Sequence, residues 1–218
     1  KFATPFFVTK NNIDYVLMKA SNASIYSVTE SMAKGFITTQ GGIRIGIGGR
    51  GVYKDGKISS IGDISSLNIR VPHEIKGAAD NILPYITAKK RINNTLIFSL
   101  PGAGKTTLLR DICRNFNNGE DVLIIDERNE LSGTVNGNCT LDVGNFSDLY
   151  VFLDKKTAFE NGLRTMKPEI VVTDELNYDD FYFVKRAFSS GVVIIASFHA
   201  DDIEEIKNIC QAYKTFFD

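Results

Sequence analysis

The sequence predicts an α/β fold, a parallel sheet sandwiched between helices, preceded by a small α+β domain. Three observations carry this reading. Four runs, "TLIFS", "VLIID", "IVVTD" and "VVIIAS", are apolar at nearly every position, as suits parallel strands covered on both faces. Amphipathic stretches lie between them, so strand and helix alternate along the chain. Before residue 72 the texture differs, with short segments in which apolar residues alternate with polar ones or glycine. A small domain over 1–71 and a larger one over 72–218 are therefore expected.

In the first part, "SIYSVTESMAKG" reads as a helix closed by Gly35 at its C-terminal cap. Ile43, Ile45 and Ile47 alternate with Arg44 and Gly46, which is strand periodicity, and Asp55-Gly56 is a hairpin turn signal. Leu67, Ile69 and Val71 mark one face of the returning strand. The glycines of "GIGGRG" read as a tight bend or bulge, since no helix follows them. After Pro72, "HEIKGAADNILPYI" spaces Ile75, Ala78, Ala79, Ile82 and Ile86 as a helix would, with the proline in its first turn. Helices are also expected from Lys105 to Phe116, over "KTAFENGLRTM" and over "DFYFVKRAFSS". The stretch from Leu131 to Asp154 is too long for an idle connection in a compact domain. A segment facing a partner or a ring pore, a lid and a disordered excursion all fit it.

Composition narrows the function classes. A net charge of −1 over 218 residues lacks the basic footprint of a dedicated nucleic-acid binder. Cys113, Cys139 and Cys210 have no CxxC or metal-ligand spacing and read as reduced thiols. No apolar run approaches the roughly 18 residues of a membrane span, and "KFATPFFVTKNN" lacks a secretory core. A cytoplasmic protein is expected, reaching any membrane through partners. The opening on Lys1 and the ending on "KTFFD" lead us to expect further residues at one or both ends.

Chemistry concentrates in "SLPGAGKTTLLRDICR", residues 99–114. The phosphate-loop pattern is Gly, four residues, then Gly-Lys-Ser/Thr; here it is Ser99, four residues, then Gly104-Lys105-Thr106. Serine replaces the first glycine. The loop, comprising Ser99, Pro101, Gly102, Ala103, Gly104, Lys105, Thr106 and Thr107, joins a strand to an amphipathic helix. Amides of Gly102 to Thr106 at the positive end of that helix would surround a phosphate. Lys105 would neutralise the β and γ phosphates, Thr106 would place its hydroxyl on Mg²⁺, and Thr107 would serve the α-phosphate side.

Hydrolysis needs carboxylates as well, one near Mg²⁺ and one to take a proton from water. Two apolar strands end in acidic pairs, Asp126-Glu127 and Asp174-Glu175. If both lie beside the phosphate-loop strand, all four acids reach one edge. Asp174 fits the residue that holds Mg²⁺ through water, while Glu127 and Glu175 both stand as candidate bases. A third strand, "VVIIAS", delivers His199 to the same edge as a γ-phosphate sensor. His73, at the start of a helix, is given no role.

"GFITTQGGIRIGIGGRGVYKDGKISSIGDISSLNIRVPHEIKGAADNILPYI", "PGAGKTTLLRDI", "IIDERNELSGTVNG", "GLRTMKPEIVVTDEL" and "SGVVIIASFHADD" together resemble the stage III sporulation protein AA family, relatives of the ATPases that power type II and type IV secretion. The resemblance spans most of residues 35–202. It implies a RecA-like P-loop ATPase core, with ATP and Mg²⁺ bound between neighbours in a hexameric homo-oligomer. It also implies membrane protein components of a mother cell to forespore channel as partners, and the mother-cell cytoplasm as location. "IIDERNE" resembles the acidic box of secretion ATPases, "GLRTMKPEIVVTDE" their Walker B region and "GVVIIASFH" their histidine box. Three features depart from the pattern: Ser99, the acidic and aromatic "DELNYDD", and "DERNE", which is not the secretion ATPases' own acidic-box wording. The portion that secretion ATPases carry after the histidine box is almost absent from this sequence.

In ring ATPases, a cation from another domain or subunit can neutralise the charge that builds on the transferring phosphoryl group. Arg44 and Arg50 stand out as such a pair, because their strand and glycine turn are the most patterned part of the small domain. Arg70, Arg128 and Arg164 are the other arginines noted. The expected function is Mg²⁺-dependent ATP hydrolysis by a ring ATPase. A nucleotide-binding scaffold with little turnover is the alternative that Ser99 keeps open. A nucleic-acid-stimulated motor is a third, against which the mild charge speaks.

Overall fold

The structure is a computed structural model, and it describes residues 5–21, 32–33, 35–88, 91–116 and 119–216. The helix expected over "SIYSVTESMAKG" lies almost wholly outside the described residues. The chain divides into two units, residues 1–72 with 133–140, and residues 73–132 with 141–218.

In the first unit, helix α1 (Lys10–Ala20) starts at Thr9, whose hydroxyl accepts from Asn12 N while Asn12 Oδ1 accepts from Thr9 N. Three antiparallel strands follow, β1 (Phe36–Thr39), β2 (Ile43–Lys54) and β3 (Lys57–Arg70), in the order β1-β2-β3. Asp55 and Gly56 turn β2 into β3 with φ of 51° and 74°, as a primed hairpin turn requires. The glycine run makes a bulge, because the β2–β3 register shifts between Gly48 and Arg50. Ile13, Ile37, Ile45, Ile47 and Ile64 form the core. Leu67 packs against it, whereas Ile69 and Val71 are exposed, so the face read from "SSLNIRV" is only partly buried.

A third of the expected long loop, residues 133–140, belongs to this unit. Gly41 N donates to Thr140 Oγ1 at 3.1 Å, and Val135 bridges Asn138 in a small turn.

The second unit carries a five-stranded parallel sheet, one strand more than expected. Its members are β4 (Thr95–Phe98), β5 (Val122–Asp126), β6 (Ser147–Val151), β7 (Ile170–Leu176) and β8 (Val193–Phe198), in the order β4-β8-β7-β5-β6. The extra strand, β6, lies within the stretch read as a loop. Alternate residues of β5 serve opposite cores: Val122 and Ile124 face one that includes Leu109 and Ile112, and Leu123 and Ile125 face another that includes Phe159 and Phe181. That is why the strands read as unbroken apolar runs.

The helix expected from Pro72 to Ile86 does not form as one piece. Gly77 takes φ of 81°, Pro84 restricts what precedes it, and only the single turn α2 (Leu83–Ile86) is helical. Ala79 and Ile86 are buried nonetheless. Helix α3 (Lys105–Asn115) follows the phosphate loop. Helix α4 (Lys155–Asn161) starts on Asp154 and runs into a π-helical turn at Gly162–Met166. Helices α5 (Phe181–Ser189) and α6 (Ile203–Tyr213) complete the unit.

Candidate nucleotide site

The loop between β4 and α3 has the backbone that its sequence implies. Gly102 and Gly104 take φ of 80° and 92°, where a Cβ would be strained, and the space beside each is open. Gly104 caps α3 without any side-chain acceptor on the first-turn amides. These are the groups from which helix N-termini build anion sites.

Lys105 is the first residue of α3 and is buried. The three N–H groups of its ammonium are shared among the carbonyls of Ser99 at 2.8 Å and Leu100 at 3.1 Å, Ser99 Oγ at 3.2 Å and His199 Nδ1 at 2.9 Å. Burial pushes it below the ordinary lysine range, and the negative charge of Glu175 pushes it back up. The serine in place of the first glycine is therefore a partner of the lysine.

The four strand-end acids have separated fates. Strand β8 stands between β4 and β7, and β5 is one strand further out, about 14 Å from β4 at ordinary strand spacing. Asp126, fully buried, closes the turn after β5: its Oδ1 accepts from Glu130 N at 2.8 Å and Leu131 N at 3.2 Å, and its Oδ2 from Ser132 N and Ser132 Oγ, both at 2.8 Å. With both oxygens used, it organises the turn. Glu127, partly exposed, pairs at 3.0 Å with Lys155, a buried lysine at the start of α4.

Asp174 is the opposite case. It is buried, and among the described residues neither carboxylate oxygen has a hydrogen-bond partner. Burial, reinforced by the negative charge of Asp126 on the neighbouring strand, pushes its carboxyl from an ordinary 3.8 up to about 8. An unpartnered buried carboxylate two strands from the phosphate-loop lysine fits a role in holding a cation. Among the described residues, no cluster of three or more His, Cys, Asp or Glu could hold a metal by itself. Mg²⁺ suits such a place because it retains waters and takes substrate phosphates as ligands.

Glu175 is turned away from its neighbour by a bulge. The β7–β8 register shifts between Thr173 and Leu176, Glu175 takes φ of 42°, and its N–H donates to Ser197 Oγ at 3.0 Å. One carboxylate oxygen meets His199 Nε2 at 3.2 Å and the other pairs with Arg128. Since His199 Nδ1 accepts from the lysine, Nε2 carries the proton donated to Glu175. Lys105, His199, Glu175 and Arg128 thus form one continuous chain.

In the other unit, Arg44 lies over the Phe36 ring at 4.0 Å and Arg50 pairs with Asp63 at 2.6 Å, both contacts within the small sheet. The His73 carbonyl accepts from Arg110 at 3.3 Å. Sequence reasoning did not assign the partnerships of Arg128 and Lys155. The one available hint was position: Arg128 directly follows the strand-end acid Glu127, and Lys155 lies four residues after β6.

The fold is that of a P-loop ATPase core, a RecA-like parallel sheet between helices. The chain belongs to the family "Sporulation stage III, protein AA", whose model matches residues 2–216. It is 33% identical over 205 residues to stage III sporulation protein AA of Bacillus subtilis (strain 168), a match covering 91% of this chain and 66% of that protein. Among solved structures, the Legionella pneumophila ATPase DotB superposes with a TM-score of 0.58 at 14% identity, over 95% of this chain and 59% of that one. The Yersinia pseudotuberculosis ATPase DotB gives 0.55 at 17% identity, over 97% and 58%. The chain thus spans somewhat less than two thirds of the length of these relatives. No described helix is long and apolar enough to cross a membrane.

Proposed function

We propose that this protein is a Mg²⁺-dependent ATPase of the secretion type, working as a homo-oligomeric, hexameric ring. By its family, its setting is the mother-cell side of a channel or secretion apparatus joining mother cell and forespore during endospore formation. Its partners there are membrane proteins of that complex. The observation that carries the reading is the buried Asp174 carboxylate, without a hydrogen-bond partner among the described residues and two strands from the glycine loop that leads into Lys105.

When bound, Mg²⁺ neutralises phosphate charge and orients the terminal phosphate. The loop amides of Gly102 to Thr106 receive the phosphates, with Ser99, Pro101, Ala103 and Thr107 shaping the cradle. Lys105 leaves the Ser99 and Leu100 carbonyls for the β and γ phosphates. Thr106 and Asp174 hold the metal, Asp174 through water. Glu175, tied to the lysine through His199, is the base of choice over Glu127, which is three strands from the loop and pairs with Lys155. His199 reports on the γ-phosphate. Arg44 and Arg50 act in trans from a neighbouring subunit, and the 1–71 domain moves against the 72–218 core.

The test is phosphate release from Mg-ATP against protein concentration, for the unmodified chain and Lys105→Ala, with nucleotide binding followed in parallel. Specific activity that rises with concentration and vanishes in Lys105→Ala supports a ring ATPase. Binding without turnover at any concentration supports the scaffold reading in its place.

A further inference from the structure

Glu175 is the candidate base, yet both of its carboxylate oxygens are occupied, Oε1 by His199 and Oε2 by Arg128. A carboxylate held in this way is a poor acceptor for a water proton, because the lone pairs of both oxygens are engaged. The two holders differ. His199 is fixed by the ammonium of Lys105 at 2.9 Å. Arg128 is half exposed, and its guanidinium has Glu175 as its sole partner among the described residues.

The backbone beneath Arg128 is rigid. Asn129 N donates to Asp126 O at 3.1 Å, and the next three amides donate to the buried Asp126 carboxylate. Any rearrangement is thus a swing of the Arg128 side chain alone. The competing anion is the terminal phosphate of a nucleotide at Lys105, which lies at the other end of the same hydrogen-bonded chain. Such a phosphate carries more charge than a carboxylate and offers oxygens to the planar guanidinium fork.

We propose that Arg128 is a nucleotide-sensing cation: it holds Glu175 until a nucleoside triphosphate arrives, then transfers to the terminal phosphate and releases Glu175 Oε2 to face water. This rests on the site being a nucleotide site, as proposed above. It assigns Arg128 the distinction between tri- and diphosphate, since a diphosphate has no phosphoryl group at the position the guanidinium would reach. The base is then freed only when there is a bond to break.

The experiment is calorimetric binding of Mg-ADP and of a Mg-bound, non-hydrolysable ATP analogue to the full chain. The variants are Glu175→Gln, Arg128→Ala, Arg128→Lys and the Glu175→Gln/Arg128→Ala double. Glu175→Gln frees the arginine in advance and is expected to tighten the triphosphate analogue by about tenfold, the scale of one charged hydrogen bond. Arg128→Ala weakens the analogue, Arg128→Lys weakens it less, and ADP binding stays constant throughout, which also shows that each variant is folded. In the Arg128→Ala background, Glu175→Gln has no further effect.

If Glu175→Gln tightens the analogue as much in the absence of Arg128 as in its presence, the gain is simple relief of repulsion and the proposal is overturned. Equal shifts for ADP and the analogue overturn it too. If the unmodified chain binds neither nucleotide, the nucleotide-site reading fails and this proposal falls with it.

Discussion

Asp174→Asn is expected to change how stability depends on pH, and the structure sets the size of the effect. The Asp174 carboxyl is raised from 3.8 to about 8 by burial first and by the charge of Asp126 second. Between those values the folded chain holds a proton that the unfolded chain has lost, so stability falls as pH rises through this window, by about 1.4 kcal/mol per pH unit. From pH 5 to pH 7 the wild-type chain therefore loses about 3 kcal/mol at this one site. The asparagine variant loses none of it. Any unmet hydrogen bonds of the amide lower the variant equally at every pH and leave the difference in slope untouched. Urea unfolding in EDTA, followed by far-UV circular dichroism at pH 5, 6 and 7, reads this directly. With an m-value of about 2 kcal/mol/M, the wild-type midpoint should fall relative to the variant by roughly 1 M or more over that range. A midpoint difference that stays flat from pH 5 to 7 would refute the reasoning, since it would mean that Asp174 is ionised or solvated in the fold.

Asp126 is predicted to be structural: Asp126→Asn keeps one acceptor oxygen, leaves amides of the turn unmatched, and should cost about 2 to 4 kcal/mol in urea unfolding at pH 7. A cost under about 0.5 kcal/mol, the range of ordinary surface substitutions, would count against that role. Gly144 has φ of 92°, and a Cβ there would sit 2.8 Å from Cys113 O, so Gly144→Ala should destabilise by about 3 kcal/mol. Gly137 has φ of 78° with open space around it, and Gly137→Ala should cost only about 1 kcal/mol. Thermal unfolding of the pair separates backbone strain from steric overlap, and equal losses would contradict the assignment.

The parts of the fold that could be read in advance were those in which one physical cause dominates. Burial on both faces wrote β4, β5, β7 and β8 as continuous apolar runs, and the strand-loop-helix around Lys105 followed from its glycines. Strand β6 was hidden because "SDLYV" is a half-buried edge strand carrying Ser147 and Asp148, set among the turn residues of a long connection. From Pro72 to Ile86, helical spacing of apolar residues coexists with Gly77 and Pro84, and the local backbone overrode the periodicity.

In the site, residue types at the strand ends were legible, but their partners were not, because strand order decides them. Asp126-Glu127 and Asp174-Glu175 look alike in sequence. Placing β8 between β4 and β7, and β5 beyond both, brings Glu175 to His199 and leaves Glu127 to Lys155. Arg128 reaches Glu175 because Asp126 gathers the amides of the turn that carries it. No local motif encodes that contact.

The most direct test of the ATPase account is phosphate release from Mg-ATP at a protein concentration that saturates assembly, comparing the unmodified chain with Glu175→Gln and Glu127→Gln. The account predicts that Glu175→Gln binds Mg-ATP and loses turnover by about a hundredfold or more, the scale of general-base catalysis, while Glu127→Gln keeps most of it. Loss of turnover in Glu127→Gln with Glu175→Gln still active, or no turnover in the unmodified chain, would contradict it.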